Sequence, residues 1–225
     1  MQDKPYFEYG EKETVALRAR DSMLGKAIDE IGHIYRPVTP NLFMALIHAM
    51  IGQQISTKAQ ETIWARFLSL FAPVTPEHIA SLPAEALQTC GISMKKALYI
   101  REMAGRVADG TLDLETLKTL PDAAVCEQLC RLKGIGVWTA EMLMIFSMQR
   151  MDILSRDDLA ILRGLRMLYR HRKITPALFA KYKKRYAPYA TVASLYLWQI
   201  SQGVYGELTD PAPKKTPRKK IGTAK

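Results

Sequence analysis

The sequence predicts an all-α protein, and three observations carry that reading. Gly and Pro punctuate the 225 residues at short intervals, nearly every segment between them spaces its apolar residues at helical rather than alternating intervals, and several prolines stand where a helix would begin. The first helix is predicted over 13–33, followed by 41–52 and 57–71. A fourth spans 83–90, where Pro83 suits the first helical position because the N–H it lacks has no partner there in any case. Ser93 to Gly110 follows: Ala97, Ile100, Ala104 and Val107 share one face, Ser93 is placed to cap the start and Gly110 to end it. Pro121 opens a helix over 121–131, and strongly apolar residues continue over 137–149. Three more are predicted at 158–170, at 175–186 with Pro176 at its start, and at 189–202.

Composition bounds the class. With 48% hydrophobic residues the chain can bury one sizeable core, or two small ones sharing an interface, so disorder is excluded as the general state. The formal charge is +10, from 32 Lys and Arg against 22 Asp and Glu, and it favours a polyanionic partner, nucleic acid before membrane. Six of the basic groups (Lys214, Lys215, Arg218, Lys219, Lys220 and Lys225) fall in the last fifteen residues, leaving +4 for the rest. Residues 209–225 therefore read as a basic, disordered tail, either solubilising or tracking phosphates. Three cysteines, no apolar run approaching membrane length and no secretory segment predict a reduced, cytosolic protein without disulfides. Cys90, Cys126 and Cys130 lack the partners of a four-thiolate site. His33, His48, His78 and His171 share no metal-ligand spacing with them. No catalytic metal and no cofactor are expected.

The most informative stretch is Leu132-Lys133-Gly134-Ile135-Gly136-Val137-Trp138-Thr139-Ala140, a glycine turn between the segments 121–131 and 137–149. Two glycines one residue apart allow positive φ and remove side-chain bulk. Backbone N–H groups at the start of the second helix can then approach an anion closely. A DNA phosphate fits that description, with Lys133 adding charge and Thr139 a hydroxyl. An ordinary turn between two helices fits the same residues.

The stretch closely resembles the signature of the helix-hairpin-helix DNA glycosylases when Asp157-Asp158, some twenty residues on, is read with it. Within that superfamily it looks most like the 3-methyladenine DNA glycosylase II branch. Ile51-Gly52-Gln53-Gln54-Ile55-Ser56 and Cys90-Gly91-Ile92-Ser93-Met94-Lys95-Lys96-Ala97 resemble recurring segments of the same branch. The likeness spans roughly residues 41 to 202. It implies two helical lobes flanking a cleft: 42–150, ending in the hairpin motif of 121–149, and 1–41 packed with 151–208, which carries the catalytic aspartate.

The resemblance also assigns roles. Cleaving an N-glycosidic bond builds positive charge on the sugar, which a carboxylate stabilises. The family register gives that task to Asp158, while an Asp-Asp pair at a helix start reads by itself as a cap, a role open to Asp157. Arg156 stands where relatives commonly have proline. Relatives that also cut the backbone carry a nucleophilic lysine where this chain has Trp138, and an indole forms no imine. Trp138, Trp198, Met142 and Leu159 fall at the family's base-pocket positions, although a tryptophan serves equally in a core. Gln54 stands where the family fills the gap left by the flipped base, and Ile92 and Ser93 would add a second wedge; a turn or cap is the plainer use of Gln53-Gln54. In some relatives hairpin carbonyls hold a monovalent cation, here those of Cys130, Leu132 and Ile135.

The implied function is monofunctional excision of alkylated purines such as 3-methyladenine and 7-methylguanine from double-stranded DNA, by a monomer acting where the DNA is. Two alternatives stay open: a glycosylase for a neutral lesion such as hypoxanthine, which predicts a polar group aimed at the base, and a non-catalytic DNA-binding protein.

Overall fold

The helix expected over 13–33 is two helices in the computed structural model of the chain, which describes residues 5–213: α1 (Glu11–Arg20) and α2 (Ser22–Ile31). Asp21 makes the break. Its Oδ1 accepts the N–H groups of Met23 and Leu24, and its Oδ2 accepts from the Tyr169 hydroxyl at 2.7 Å and the Arg185 guanidinium at 2.6 Å. A carboxylate so nearly buried is tolerable only with its lone pairs this fully engaged, so its pairing to distant residues outweighs local continuation of the helix.

Next come α3 (Leu42–Gly52) and α4 (Thr57–Leu70), capped by Asn41 and Ser56. The segment predicted as a single helix over 83–90 is preceded by another: α5 (Pro76–Ser81), capped by Thr75 with Pro76 in its first turn, then α6 (Ala84–Gln88). Ser93 caps α7 (Met94–Ala108), and Gly110 follows it at φ +78°. Asp113 then caps the unforeseen α8 (Leu114–Thr119). The hairpin pair is α9 (Asp122–Cys130) and α10 (Val137–Phe146), and α11 (Leu159–Tyr169), α12 (Pro176–Tyr186) and α13 (Ala190–Ser201) complete the chain. Among the described residues there is no strand beyond one isolated bridge between Tyr6 and Pro37, and no helix long and apolar enough to cross a membrane.

Packing follows two groupings. Helices α1, α2, α11, α12 and α13 pack on one another, and so do α3 to α7 with α9 and α10, while α8 rests on α9. One buried apolar cluster runs through both, from Leu24 and Ile28 of α2 to Leu46, Ile47 and Ile51 of α3 and Val192 and Ile200 of α13.

The tightest approach is α11 on α13. A Cβ built on Gly164 would lie 2.3 Å from the carbonyl oxygen of Leu197, which is backbone and cannot step aside. Gly164→Ala is therefore expected to cost about 3 kcal/mol through forced separation of the helices. Thermal unfolding should show a midpoint about 5–10 °C lower, against a small gain had the position been an ordinary exposed helical glycine.

The basic groups assigned to the tail lie outside the described residues. Asp210, placed by sequence at the start of that tail, instead accepts both arms of the Arg166 guanidinium, at 2.8 and 2.6 Å. The chain is thus tied to α11 as far as that residue, by the bidentate pairing an arginine makes with a carboxylate.

Candidate active site

The hairpin between α9 and α10 is held from below by its own apolar residues and from the side by α3 and α7. Leu132 and Ile135 are buried, and Ile135 N–H closes the turn on Leu132 O at 3.0 Å. Of the two glycines only Gly134 needs the left-handed region, at φ +88°, and a side chain there would also meet the Tyr99 ring. Gly136 differs. It caps α10 at φ −98°, and a Cβ added to it would meet nothing within 4 Å. No contact inside the protein therefore requires glycine at 136, and the space around it at the start of α10 lies open.

The segment after α3 meets this hairpin. Gln53 donates its side-chain amide to Gly134 O, and the Lys96 ammonium donates to Ile51 O and Gln53 O, both at 2.8 Å. Lys96 thus satisfies carbonyls left free at the end of α3, and its burial pulls its pKa below the ordinary lysine value. Gln54 is exposed beside it at φ +60°, a conformation that non-glycine residues seldom adopt. Lys133 points away to an ion pair with Glu102 at 2.8 Å, and this hydrogen bond holds its pKa above the usual value. Ser93 accepts the Lys96 N–H as a helix cap and is exposed, whereas Ile92 is buried and does not stand out as a wedge. Thr139 is only 8% exposed and lines the same cavity as Gly134 and Gly136.

Asp158 is presented by the connector between α10 and α11, which α13 pins. Thr191 Oγ1 donates to Arg150 O at 2.6 Å and accepts the Ile153 N–H at 2.9 Å, and Ser194 Oγ donates to Ile153 O at 3.1 Å. The cap that local sequence allotted to Asp157 belongs to Asp158, whose Oδ1 accepts the N–H groups of Ala160 and Ile161, both at 2.9 Å. Its Oδ2 accepts the indole N–H of Trp138 at 3.0 Å. The carboxylate is therefore locked in rotation, with two backbone donors on one oxygen and one donor on the other. It is buried, yet it borders a cavity. Behind it, burial pushes the Glu141 carboxyl above its usual range, and the charges of Asp157 and Asp158 add to the rise.

Two cavities share a wall made by Trp138, Met142 and Phe146, one face of α10 at intervals of four. The larger, about 560 Å³, opens between α3, α4 and the hairpin and is lined by Gln53, Gln54, His48, Gln60, Gly134 and Gly136. The smaller, about 320 Å³, holds Asp158 with Trp198, Leu195, Ile34 and the polar side chains of Arg36, Gln199 and Gln202. Trp198 stacks at a tilt on Phe146, with ring centroids 5.6 Å apart.

Of the residues expected around a base, Trp138, Met142 and Trp198 come together with Asp158. Leu159 does not. It is 80% exposed and lines neither cavity, because the residue after a cap turns about 100° away from it. Phe146, Arg36, Gln199 and Gln202 were not anticipated. Phe146 continues the face of Trp138 and Met142, and Gln199 and Gln202 adjoin Trp198 on the last turns of α13, so helical spacing signalled them. Arg36 lies outside any helix and had no such signal.

A family model described as HhH-GPD superfamily base excision DNA repair protein matches residues 47–188. DNA-3-methyladenine glycosylase 1 of Schizosaccharomyces pombe is 36% identical over 176 residues, covering 76% of each chain. The crystal structure of a DNA-3-methyladenine glycosidase from Bacillus halodurans superposes with a TM-score of 0.79 at 38% identity, over 87% of this chain and 92% of that one. The S. pombe 3-methyladenine DNA glycosylase in complex with abasic DNA superposes with a TM-score of 0.72 at 32% identity, over 85% and 97% of the two chains.

Proposed function

The chain belongs to the HhH-GPD superfamily of base excision DNA repair proteins, and from that premise we propose that it is a monofunctional DNA glycosylase releasing alkylated purines. Relatives named 3-methyladenine glycosylases support the substrate class. The observation that carries the chemistry is the buried Asp158 carboxylate, locked by three donors at the edge of a cavity walled by Trp138, Met142, Phe146 and Trp198.

In this reading the two packing groups are lobes, 42–150 against 1–41 with 151–208, and damaged duplex DNA lies across the cleft between them. The open N–H groups at Gly136 take a phosphate, where the α10 dipole favours an anion. Gln54, exposed in its left-handed turn, enters the gap left by the extruded nucleotide. The base enters the smaller cavity between indole faces. An alkylated purine is cationic, and such faces attract it.

The bond from C1′ to N9 then breaks with its electron pair leaving on the base, which departs neutral. Positive charge develops on the sugar beside Asp158, whose carboxylate stabilises it without rotating. Water closes on C1′ and its proton passes to the carboxylate and on to solvent. With Trp138 in place of an amine, no imine forms and the strand stays whole. The chain acts in this reading as a monomer in the compartment that holds the DNA.

A transition-state mimic tests it. A duplex carrying a pyrrolidine, whose protonated nitrogen replaces C1′, should bind at least about tenfold tighter than one carrying the neutral tetrahydrofuran abasic analogue. Equal affinity in a fluorescence-anisotropy titration would contradict a site built for a sugar cation.

A further inference from the structure

Positive charge is spread unevenly over the chain. Between Leu159 and Gly206 stand nine Lys and Arg and no Asp or Glu, whereas residues 1–210 together carry +4, so the rest of that span, hairpin included, comes to −5. Part of the excess gathers far from Asp158. An open depression between α1 and α12 is lined by Arg20, Lys181, Lys184 and Arg185, none of which lines either cavity beside α10. Asp158 caps the first turn of α11. Tyr169, at the other end of that helix, donates to Asp21, whose Oδ2 also holds the Arg185 guanidinium at 2.6 Å. The length of α11, 11 residues or about 16 Å, thus lies between Asp158 and the carboxylate that anchors the depression.

Uses inside the protein do not account for the cluster. Cations in a last helical turn complement a dipole worth about half a charge, yet α12 ends on Lys183, Lys184 and Arg185, and Arg20 closes α1 across from them. Ion pairing engages Arg185 alone. Arg20, Lys181 and Lys184 are exposed, with no ion pair and no side-chain hydrogen bond among the described residues. Crowded cations repel one another until an anion arrives. The positive charge also continues past the depression. His171 Nε2 and the Tyr182 hydroxyl lie 2.7 Å apart, which docks the α11–α12 turn, with Arg170, Arg172 and Lys173, on the same helix. One free phosphate engages two or three such groups, whereas a backbone of repeating phosphates engages the set.

We propose that this end of the lobe is a second DNA-binding site, centred on Arg20, Lys181, Lys184 and Arg185, which grips the phosphate backbone of one duplex segment while the groove at Asp158 engages another. The site offers charge and a guanidinium fork and nothing that reads a base edge, so it takes undamaged duplex as well as damaged. Asp21 fixes the Arg185 guanidinium in the depression, so one fork is oriented before DNA arrives. Each phosphate neutralised there releases condensed counterions, and the grip weakens with salt accordingly. A protein holding two segments passes from one to the other without entering solvent, which shortens a search for rare damaged bases.

The experiment loads the full chain, in equimolar amount, on an immobilised duplex carrying the tetrahydrofuran abasic analogue and measures capture of a labelled undamaged duplex from solution. Wild-type protein should capture it. The triple substitution Arg20→Gln, Lys181→Gln, Lys184→Gln changes only exposed, unpaired side chains. It should lower capture at least about tenfold and flatten the salt dependence of binding to undamaged duplex in free solution, by about 0.9 in the log–log slope for each lost contact. Release of 3-methyladenine from a short duplex at saturating protein should stay within about twofold of the wild type. Capture and slope both unchanged in the variant would overturn the proposal and leave these cations to a different partner, such as an acidic protein. So would a wild type that captures nothing, or a variant that also leaves the abasic duplex, which would make these cations part of the groove. Wild-type protein that the abasic duplex does not retain would count against the groove reading instead, and the slope in free solution would still decide the second site.

Discussion

Asp158→Asn should slow base release about a thousandfold or more under single-turnover conditions while leaving the fold intact. The two expectations separate because the carboxylate has two tasks. Capping α11 needs only an acceptor for the N–H groups of Ala160 and Ile161, and asparagine caps as well as aspartate. Stabilising a sugar cation needs the charge. The substitution also sets an amide NH2 against the indole N–H of Trp138, so the hydrogen bond that orients the side chain is lost with the charge. Thermal unfolding should shift by no more than about 3 °C. A variant that unfolds, or one that retains a tenth of the rate, would deny Asp158 this role.

The second large effect falls on Trp138. Trp138→Phe keeps an aromatic face for the base and removes the N–H that holds Asp158 Oδ2. A hydrogen bond to a charged acceptor contributes about 1.5–3 kcal/mol, so the rate of the chemical step should fall about tenfold to a hundredfold. Affinity for duplex DNA with a neutral abasic analogue should change much less, since that ligand neither stacks on the ring nor carries the sugar charge. β-(3-benzothienyl)alanine at 138 gives a sharper form of the test: it matches the indole in shape and lacks only the donor. Its rate should fall with that of Trp138→Phe. A wild-type rate would leave Trp138 only a stacking surface.

The central part of this site was legible in sequence because it rests on short-range rules. A glycine turn between two apolar periodic segments identifies the hairpin, and an Asp-Asp pair before the next periodic run identifies a helix start. What escaped depends on contacts across the chain. Asp21 caps α2 locally through Met23 and Leu24, but it is held in that role by Tyr169 and Arg185, neither of which is near it in sequence. Helices α5 and α8 were missed as six-residue elements too short to show a period, although Thr75 and Asp113 announced their caps. Leu159 was assigned to the pocket by register alone. Once Asp158 serves as the cap, the next side chain must turn outward. Thr139, by contrast, lies on a face of α10 that turns toward the larger cavity, beside Gly134 and Gly136. Arg36 belongs to the pocket because the segment after α2 passes Phe146, an arrangement set by tertiary packing.

The most direct test of the whole account incubates the protein with methylated duplex DNA, identifies the released bases by chromatography, and follows strand integrity without heat or alkali. The account predicts free 3-methyladenine and 7-methylguanine, abasic sites in equal number, and uncut strands. Strands cut at the damaged positions with a borohydride-trappable protein adduct would contradict the monofunctional mechanism. Binding without any base release by folded protein would contradict the assignment of alkylated purines itself.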